Sequence, residues 1–270
     1  MIMENFKNWL SSQELAAISI RRHTENVSRF ANWSIQNELQ QEELNYRDLL
    51  IYIQELQARS IKARSINNII GSIKKYYDWQ IESGNRLDNP AQKLRVKIPR
   101  QRISKTHTRQ ELNDILENYQ STTKYKIILS LIIHQGVNTS TLKALKIQDI
   151  DVEKGTIYLP ATTRSNARNL PLQQTQILPL YKYLLQLDPT QENLFTGNIN
   201  NHITALFTQL APKCTLRELR TSVIVGWLKQ YNRREVQYMC GHRHISSTEA
   251  YLVQDAEALK KALKDSHPLG

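Results

Sequence analysis

The chain has 270 residues, of which 40% are hydrophobic and 23% charged, a composition typical of a soluble globular protein with two ordinary domains. It has no run of 18 apolar residues, and its N-terminus lacks a basic segment followed by an apolar one. We therefore expect no membrane span, no secretory signal and a cytoplasmic location. The formal net charge of +11 favours a polyanionic partner, and nucleic acid is the usual one; the alternative is a generally basic soluble protein.

The pattern of residues 1–94 predicts a helical domain. Apolar residues recur at helical spacing within residues 19–39, 49–56 and 66–77, which predicts three helices, the third of them long. Asn89-Pro90 prevents a further helix from continuing. We expect the aromatic side chains of this half to lie in its core rather than to stack on bases.

Two stretches, residues 56–77 and 95–105, carry basic residues and no acidic ones. Solvated helix faces normally mix both signs, so stretches of one sign are typical of surfaces that follow phosphates. Residues 95–106 also lack hydrophobic periodicity, which predicts a basic linker. The predicted DNA-binding residues are Arg59, Lys62, Arg64, Lys74, Lys75, Arg95, Lys97, Arg100, Arg102 and Lys105, together with Arg164 further along the chain.

Residues 107–270 are predicted to form a second domain. Thr108 and Glu111 have the spacing of a capping box, which marks the start of a helix. Residues 156–159 and 169–172 have strand character and flank a polar turn, which predicts a β-hairpin. Further helices are predicted at residues 124–135, 138–146, 173–187, 199–210, 216–229, 233–239 and 255–264. The two cysteines, Cys214 and Cys240, have neither disulfide nor metal-ligand spacing, and we expect no metal and no cofactor.

An arginine, a histidine and a tyrosine follow one another in the C-terminal part of the chain. Arg220 ends the run Thr215–Arg220, His242 ends Cys240-Gly241-His242, and Tyr251 comes nine positions later. These residues suit a phosphodiester transfer with a tyrosine nucleophile. The guanidinium neutralises a phosphate oxygen, the imidazole supports the charge of the transition state, and the tyrosine hydroxyl attacks phosphorus and holds the DNA end.

The ordered set of motifs resembles the tyrosine recombinases of the phage-integrase superfamily, in the layout of Xer-type bacterial enzymes, over nearly the whole chain. The motifs that carry the resemblance are residues 65–70, 76–77, 89–91, 136–146, 149–151, 168–172, 218–220, 241–242 and Tyr251. The resemblance implies a mainly α fold, with an N-terminal four-helix core-binding (SAM-like) domain and a catalytic-type domain with a small β-sheet. It also implies double-stranded DNA as the partner.

The same resemblance assigns roles to individual residues. Arg220 matches the second arginine of the family's site, His242 matches the second histidine, and Tyr251 matches the nucleophile. The helix predicted around residues 256–263 corresponds to one that packs on a neighbouring protomer in the family; packing on its own domain is the alternative.

Several other family positions are occupied by different residues in this chain. The first arginine falls on Asn138, the acidic residue after it on Thr141, the hairpin lysine on Thr163 beside Arg164, and the first histidine on Arg217. Asn138 lacks the charge of a second guanidinium, and Thr163 has no pKa suited to a general acid. Arg217 cannot transfer a proton near neutral pH. Each loss is expected to cost about 10²–10³ in rate.

Three hypotheses follow. The first is a DNA-binding protein of this family with a decayed or weak strand-transfer site, acting in recombination or integration of a mobile element or as an accessory or regulatory binder. The second is an active site-specific recombinase that forms a 3′-phosphotyrosyl DNA intermediate through Tyr251. The third is a protein-interaction module whose basic surface meets an acidic partner. The first two also allow homo-oligomers, or hetero-oligomers with an active recombinase, through the C-terminal helix.

Overall fold

The computed structural model describes residues 2–41, 43–98, 106–210 and 213–252. The chain divides into two units, residues 1–101 and 102–270, and each has its own hydrophobic core. Helices dominate both units and the second holds a small antiparallel sheet, which confirms the predicted mainly α fold. Within the described ranges, no helix is both long and apolar enough to cross a membrane.

The described part of the first unit is built from helices whose apolar stripes face one another. They are α1 (Ile2–Ser12), α2 (Ala17–Gln36), α3 (Tyr46–Ala58) and α4 (Ala63–Glu82). The three helices predicted from periodicity correspond to α2, α3 and α4, whereas α1 was not distinguished as a separate element. Phe6 of α1 is buried against the aromatic side chains of α4. Trp33, Tyr76, Tyr77 and Trp79 are also buried, so these aromatic residues belong to the core as expected.

The described part of the second unit places helices around a three-stranded sheet. The helices are α5 (Arg109–Asn118), α6 (Thr123–Gln135), α7 (Thr139–Ala144), α8 (Gln174–Leu184), α9 (Ile199–Gln209), α10 (Leu216–Leu228) and α11 (Arg233–Cys240). The strands are β1 (Ile150–Asp151), β2 (Thr156–Leu159) and β3 (Arg168–Pro171), antiparallel in the order β1-β2-β3. The predicted hairpin is confirmed, and β1 adds a strand that was not predicted. Residues 245–252 form one more helical segment.

Helix α6 is the centre of the second unit. Its residues Ile127 to Ile133 are buried on nearly every face, apart from Ser130, because α5, α8, α9 and α10 pack around it. The helix ends at Gly136, whose φ of +57° is a left-handed conformation that favours glycine. This ending fixes the position of the Gly136 carbonyl beside α10. The C-terminal helix predicted at residues 255–264, with its interface segment 256–263, lies outside the described residues.

Candidate functional site

Arg220 joins the ends of two helices. Thr215 and Glu218 form a capping box that starts α10, and Arg220 lies one turn further on. Its Nε donates to the Gly136 carbonyl at 2.8 Å, and its Nη2 donates to the Cys240 carbonyl at 3.3 Å. Both acceptors are at helix C-termini, which carry partial negative charge. They orient the guanidinium without neutralising it, so its full charge remains available to an anion.

His242 and Tyr251 lie together just after α11. Gly241, with a φ of +66°, ends α11, and the His242 N–H donates back to the Gln237 carbonyl at 3.0 Å. The His242 ring is parallel to the Tyr251 ring, with 5.9 Å between the centroids and 10° between the planes. Its Nδ1 is 2.9 Å from the Thr248 hydroxyl oxygen. The fold therefore brings Arg220, His242 and Tyr251 into one site.

Burial controls the protonation of both aromatic groups. The pKa of His242 is lowered to about 4, mainly by burial and in smaller part by the positive charges of Arg220 and Arg168. His242 is therefore a neutral imidazole at pH 7. Burial also raises the pKa of Tyr251, while the charges of Arg220 and Arg217 act in the opposite direction. The Arg217 side chain is exposed, but its charge reaches the tyrosine hydroxyl.

Arg168 is a site residue to which sequence reasoning gave no role. It begins β3 and is only 2% exposed. Its Nε donates to the Met239 carbonyl at 2.8 Å and its Nη1 to the Asn166 carbonyl at 3.3 Å; its buried Nη2 has no partner among the described residues. Burial, with help from Arg220, lowers the pKa of Arg168 to about 10. A Cβ at position 241 would lie 2.5 Å from its Nη1, so Gly241 makes room for this arginine.

The hairpin loop between β2 and β3 is fastened to the turn that carries His242. The Asn166 N–H donates to the Gly241 carbonyl at 2.8 Å, and Arg243 donates to the Thr162 carbonyl at 2.9 Å. Thr163 and Arg164 lie exposed on this loop. The position at which the family resemblance expects a lysine is therefore held next to the turn that carries His242, but it carries a neutral hydroxyl.

Asn138 is the N-cap residue of α7. Its Oδ1 accepts from the Thr141 N–H at 2.9 Å and thereby caps the N-terminus of α7. Thr141 itself is fully buried, and its hydroxyl oxygen has no partner in the described part of the chain. The loop that carries Asn138 also carries Gly136, the acceptor of Arg220. Asn138 thus lies beside the site as a neutral helix cap.

The predicted DNA-binding residues divide by exposure. Arg59, Lys62 and Arg64 are exposed around the connection from α3 to α4. The others in the described part are Arg95, Lys97 and Arg164, which are exposed, and Lys74 and Lys75, which are half-buried on α4. Arg100, Arg102 and Lys105 lie outside the described residues. No cluster of three or more His, Cys, Asp or Glu side chains suited to a metal ion occurs within the described ranges.

Two family models match this chain. The model for the phage integrase family matches residues 105–258, and the model for the phage integrase N-terminal SAM-like domain matches residues 3–84. A relative, the tyrosine recombinase XerA of Pyrococcus furiosus, is 25% identical over 99% of this chain and 94% of its own length.

Two solved structures share the fold. The Tn1549 transposon integrase in complex with transposon right end DNA matches with a TM-score of 0.72 and 14% identity, over 97% of this chain and 99% of that one. A lambda integrase dimer bound to a COC′ core site matches with a TM-score of 0.72 and 16% identity, over 93% of this chain and 75% of that one.

Proposed function

This chain belongs to the phage integrase family, and we propose that it binds duplex DNA and that its strand-transfer site is strongly weakened. The related folds of the Tn1549 and lambda integrases were solved on DNA, which supports the first part. The proposal includes a cytoplasmic location with the DNA. It also includes assembly with further copies or with an active recombinase through residues 256–263, which the structure does not describe.

The start of α4 supports contact with a phosphate. Lys62 is the N-cap residue, no side chain caps the helix, and Arg64 lies in the first turn. Cations at the positive end of a helix dipole lower stability by about 0.3–1 kcal/mol each. An anion bound there would be attracted both by the cations and by the N–H groups of the first turn. In DNA-bound integrases the available anion is the DNA phosphate. Arg59 lies on the same connection between α3 and α4 and adds a further positive charge.

The observation that carries the weakened chemistry is the capping bond of Asn138. The position that the family fills with an arginine is a neutral amide whose oxygen already serves α7. His242 adds no charge at pH 7, and Arg168 is almost completely buried on β3. Arg220 is only half-buried, so its guanidinium remains accessible to stabilise the phosphorane. A loss of one such donor costs about 10²–10³ in rate, and the hairpin general acid is missing as well.

A suicide-substrate experiment tests this proposal. On nicked duplex DNA the wild-type protein should form little or no covalent adduct at Tyr251, measured by denaturing gel. A phosphorothiolate substrate removes the need to protonate the leaving group, so it isolates the defect at Asn138. We expect Asn138→Arg together with Thr163→Lys to restore the adduct, and Tyr251→Phe to abolish it in that background. Efficient adduct with the wild type, lost in Tyr251→Phe, would contradict the weakened site.

That last outcome belongs to the second candidate function, an active site-specific recombinase. The observation in its favour is the preserved geometry of Arg220, His242 and Tyr251, with the tyrosine under the charge of both Arg220 and Arg217. In this case Arg217 would take over part of the phosphate binding. Arg217→Gln would then reduce adduct formation by the same 10²–10³ factor, whereas in the weakened site it would affect DNA binding alone.

A further inference from the structure

A cavity in the C-terminal unit lies outside the site described above. It has a volume of about 600 Å³ and is bounded by the start of α5, the end of α6 and the middle of α10. Its walls include His107, Arg109, His134 and Trp227. This volume is in the range of pockets that hold small molecules. Gly136 lies between this cavity and Arg220, because Trp227 packs on Gly136 while Arg220 donates to its carbonyl.

The charge of the cavity wall is positive. Arg109 and Lys229 contribute cations, and none of the residues described on the wall is acidic. Arg109 donates to His134 Nδ1 at 2.7 Å and to the Ile133 carbonyl at 3.4 Å, and it forms no ion pair within the described part of the chain. Burial lowers the pKa of Arg109. Arg109 is exposed at the mouth of the cavity, and a cation without a counterion favours the binding of an anion.

The bond from Arg109 fixes the tautomer of His134. A guanidinium can only donate, so Nδ1 of His134 is the acceptor and the proton of the neutral ring is on Nε2. Burial lowers the pKa of His134 to about 4, which keeps the ring neutral at pH 7. Its Nε2 is buried and has no acceptor among the described residues. The structure therefore leaves a buried hydrogen-bond donor unused on a residue that lines a positively charged cavity.

His107 provides a second unused nitrogen. The residue is 8% exposed, and its backbone N–H donates to the Ser222 hydroxyl at 2.8 Å, which holds it against α10. Its Nε2 is also buried without a partner in the described ranges. Buried polar atoms are nearly always paired, so two unpaired imidazole nitrogens on one cavity point to a missing ligand.

We propose that this cavity binds a phosphate group, with Arg109 as the positive charge, His134 Nε2–H as a donor and His107 as a further contact. A phosphate has four oxygens and accepts from several donors at once, and charge-assisted bonds of this kind are strong. Trp227 and Leu112 offer an apolar wall to the remainder of the ligand. The phosphate group can come from a small phosphorylated molecule or from the DNA backbone, and the experiment separates these sources.

The experiment follows the imidazole signals of the full-length protein by NMR. The seven histidines are assigned by single His→Gln variants, and inorganic phosphate is titrated in. We expect the signals of His107 and His134 to shift saturably and the pKa of His134 to rise from its value near 4, because a bound anion favours the charged ring. His242 reports independently on the candidate DNA site.

Two variants serve as comparisons. Arg109→Gln keeps a donor for His134 but removes the charge, and we expect its phosphate affinity to fall about tenfold or more. Arg234→Gln, on an arginine that does not line the cavity, should change nothing. Shifts caused by inorganic phosphate alone assign the site to a small molecule; shifts caused only by a short DNA duplex assign it to the DNA backbone. No shift with either, or an unchanged response in Arg109→Gln, would overturn the proposal.

Discussion

At the scale of single residues, the site is governed by arginines that are held by carbonyl groups rather than by carboxylates. Arg220 and Arg168 both donate to the last turn of α11, at Cys240 and Met239. A carboxylate partner would cancel the positive charge, whereas the partial charge of a helix C-terminus only reduces it. Such an arrangement keeps the site attractive to a phosphate, at the cost of burying two like charges near each other.

Arg168 allows that cost to be measured. Lowering its pKa from 12.5 to about 10 corresponds to about 3 kcal/mol of destabilisation at neutral pH, where the group is charged in both the folded and the unfolded state. Against this, each bond to a carbonyl contributes about 1.5 kcal/mol. We therefore expect Arg168→Met to change the free energy of unfolding by no more than about 1 kcal/mol. Arg168→Ala should be less stable by about 2–4 kcal/mol, because it also leaves a cavity.

Urea denaturation of the two variants and the wild type provides the measurement. If Arg168→Met lost as much stability as Arg168→Ala, the carbonyl bonds would outweigh the buried charge, contrary to the reasoning above. A phosphate or DNA ligand should stabilise the wild type more than Arg168→Met, since the ligand offsets a charge that the variant lacks.

His242 predicts a pH dependence. Its pKa is about 4 in the folded protein and about 6.5 when unfolded, so unfolding takes up a proton between these values. The stabilisation by the neutral ring is fully present above pH 6.5 and is lost as the pH falls towards 4. The pKa of His134 is also lowered to about 4, so this residue adds to the loss of stability in acid. We expect the melting temperature to fall over this range, and His242→Gln to flatten the fall.

Thermal melts between pH 7 and pH 4.5 test this. His244→Gln is the matched control, since His244 is exposed and near in sequence. An acid response of His242→Gln equal to that of the wild type would show that the ring is not held neutral by the fold.

At the scale of secondary structure, periodicity predicted the elements that are amphipathic and long. The stripes of α2, α3 and α4 and the alternation in β2 and β3 correspond to single buried faces, and the structure confirms them. Helix α1 has 11 residues, and its buried Phe6 and Leu10 stand four positions apart, so its period was present in the sequence. The short strand β1 has too few residues to show a period clearly. Residues 245–252 form a helix without an apolar stripe that marks it in the sequence. These last two elements depend on tertiary contacts more than on local pattern.

The site was only partly predictable for a related reason. Arg220, His242 and Tyr251 follow a motif with fixed order, and the fold does bring them together. Arg168 lies in one of the motifs that carry the resemblance, residues 168–172, but that motif gave it no role, and an arginine on a strand is usually at the surface. Its alternation with Leu170 places both side chains on the buried face of β3. His107 and His134 line the same cavity although they are 27 positions apart in the sequence, and no local pattern predicts that they lie close together.

At the scale of the whole molecule, the excess of positive charge should determine how strongly DNA binding depends on salt concentration. Exposed basic residues occur in both units: Arg59, Lys62, Arg64, Arg95, Lys97 and Arg164. Each cation that neutralises a DNA phosphate releases counterions, so the logarithm of affinity falls linearly with the logarithm of salt concentration, by about 0.9 per contact. If these residues contact phosphates, the slope should be roughly −5.

Binding to a short duplex, measured by fluorescence anisotropy from about 50 to 200 mM salt, gives this slope. We expect Lys62→Gln to weaken binding to all duplexes alike and to make the slope less steep by about 1, since it removes one phosphate contact. Lys7→Gln is the matched control, because Lys7 is also an exposed lysine of the first unit but is paired with Glu4 on α1. It should leave the slope unchanged. A nearly flat salt response of the wild type would show that these cations do not face DNA. Equal losses in the two variants would show that net charge, rather than the start of α4, determines the affinity.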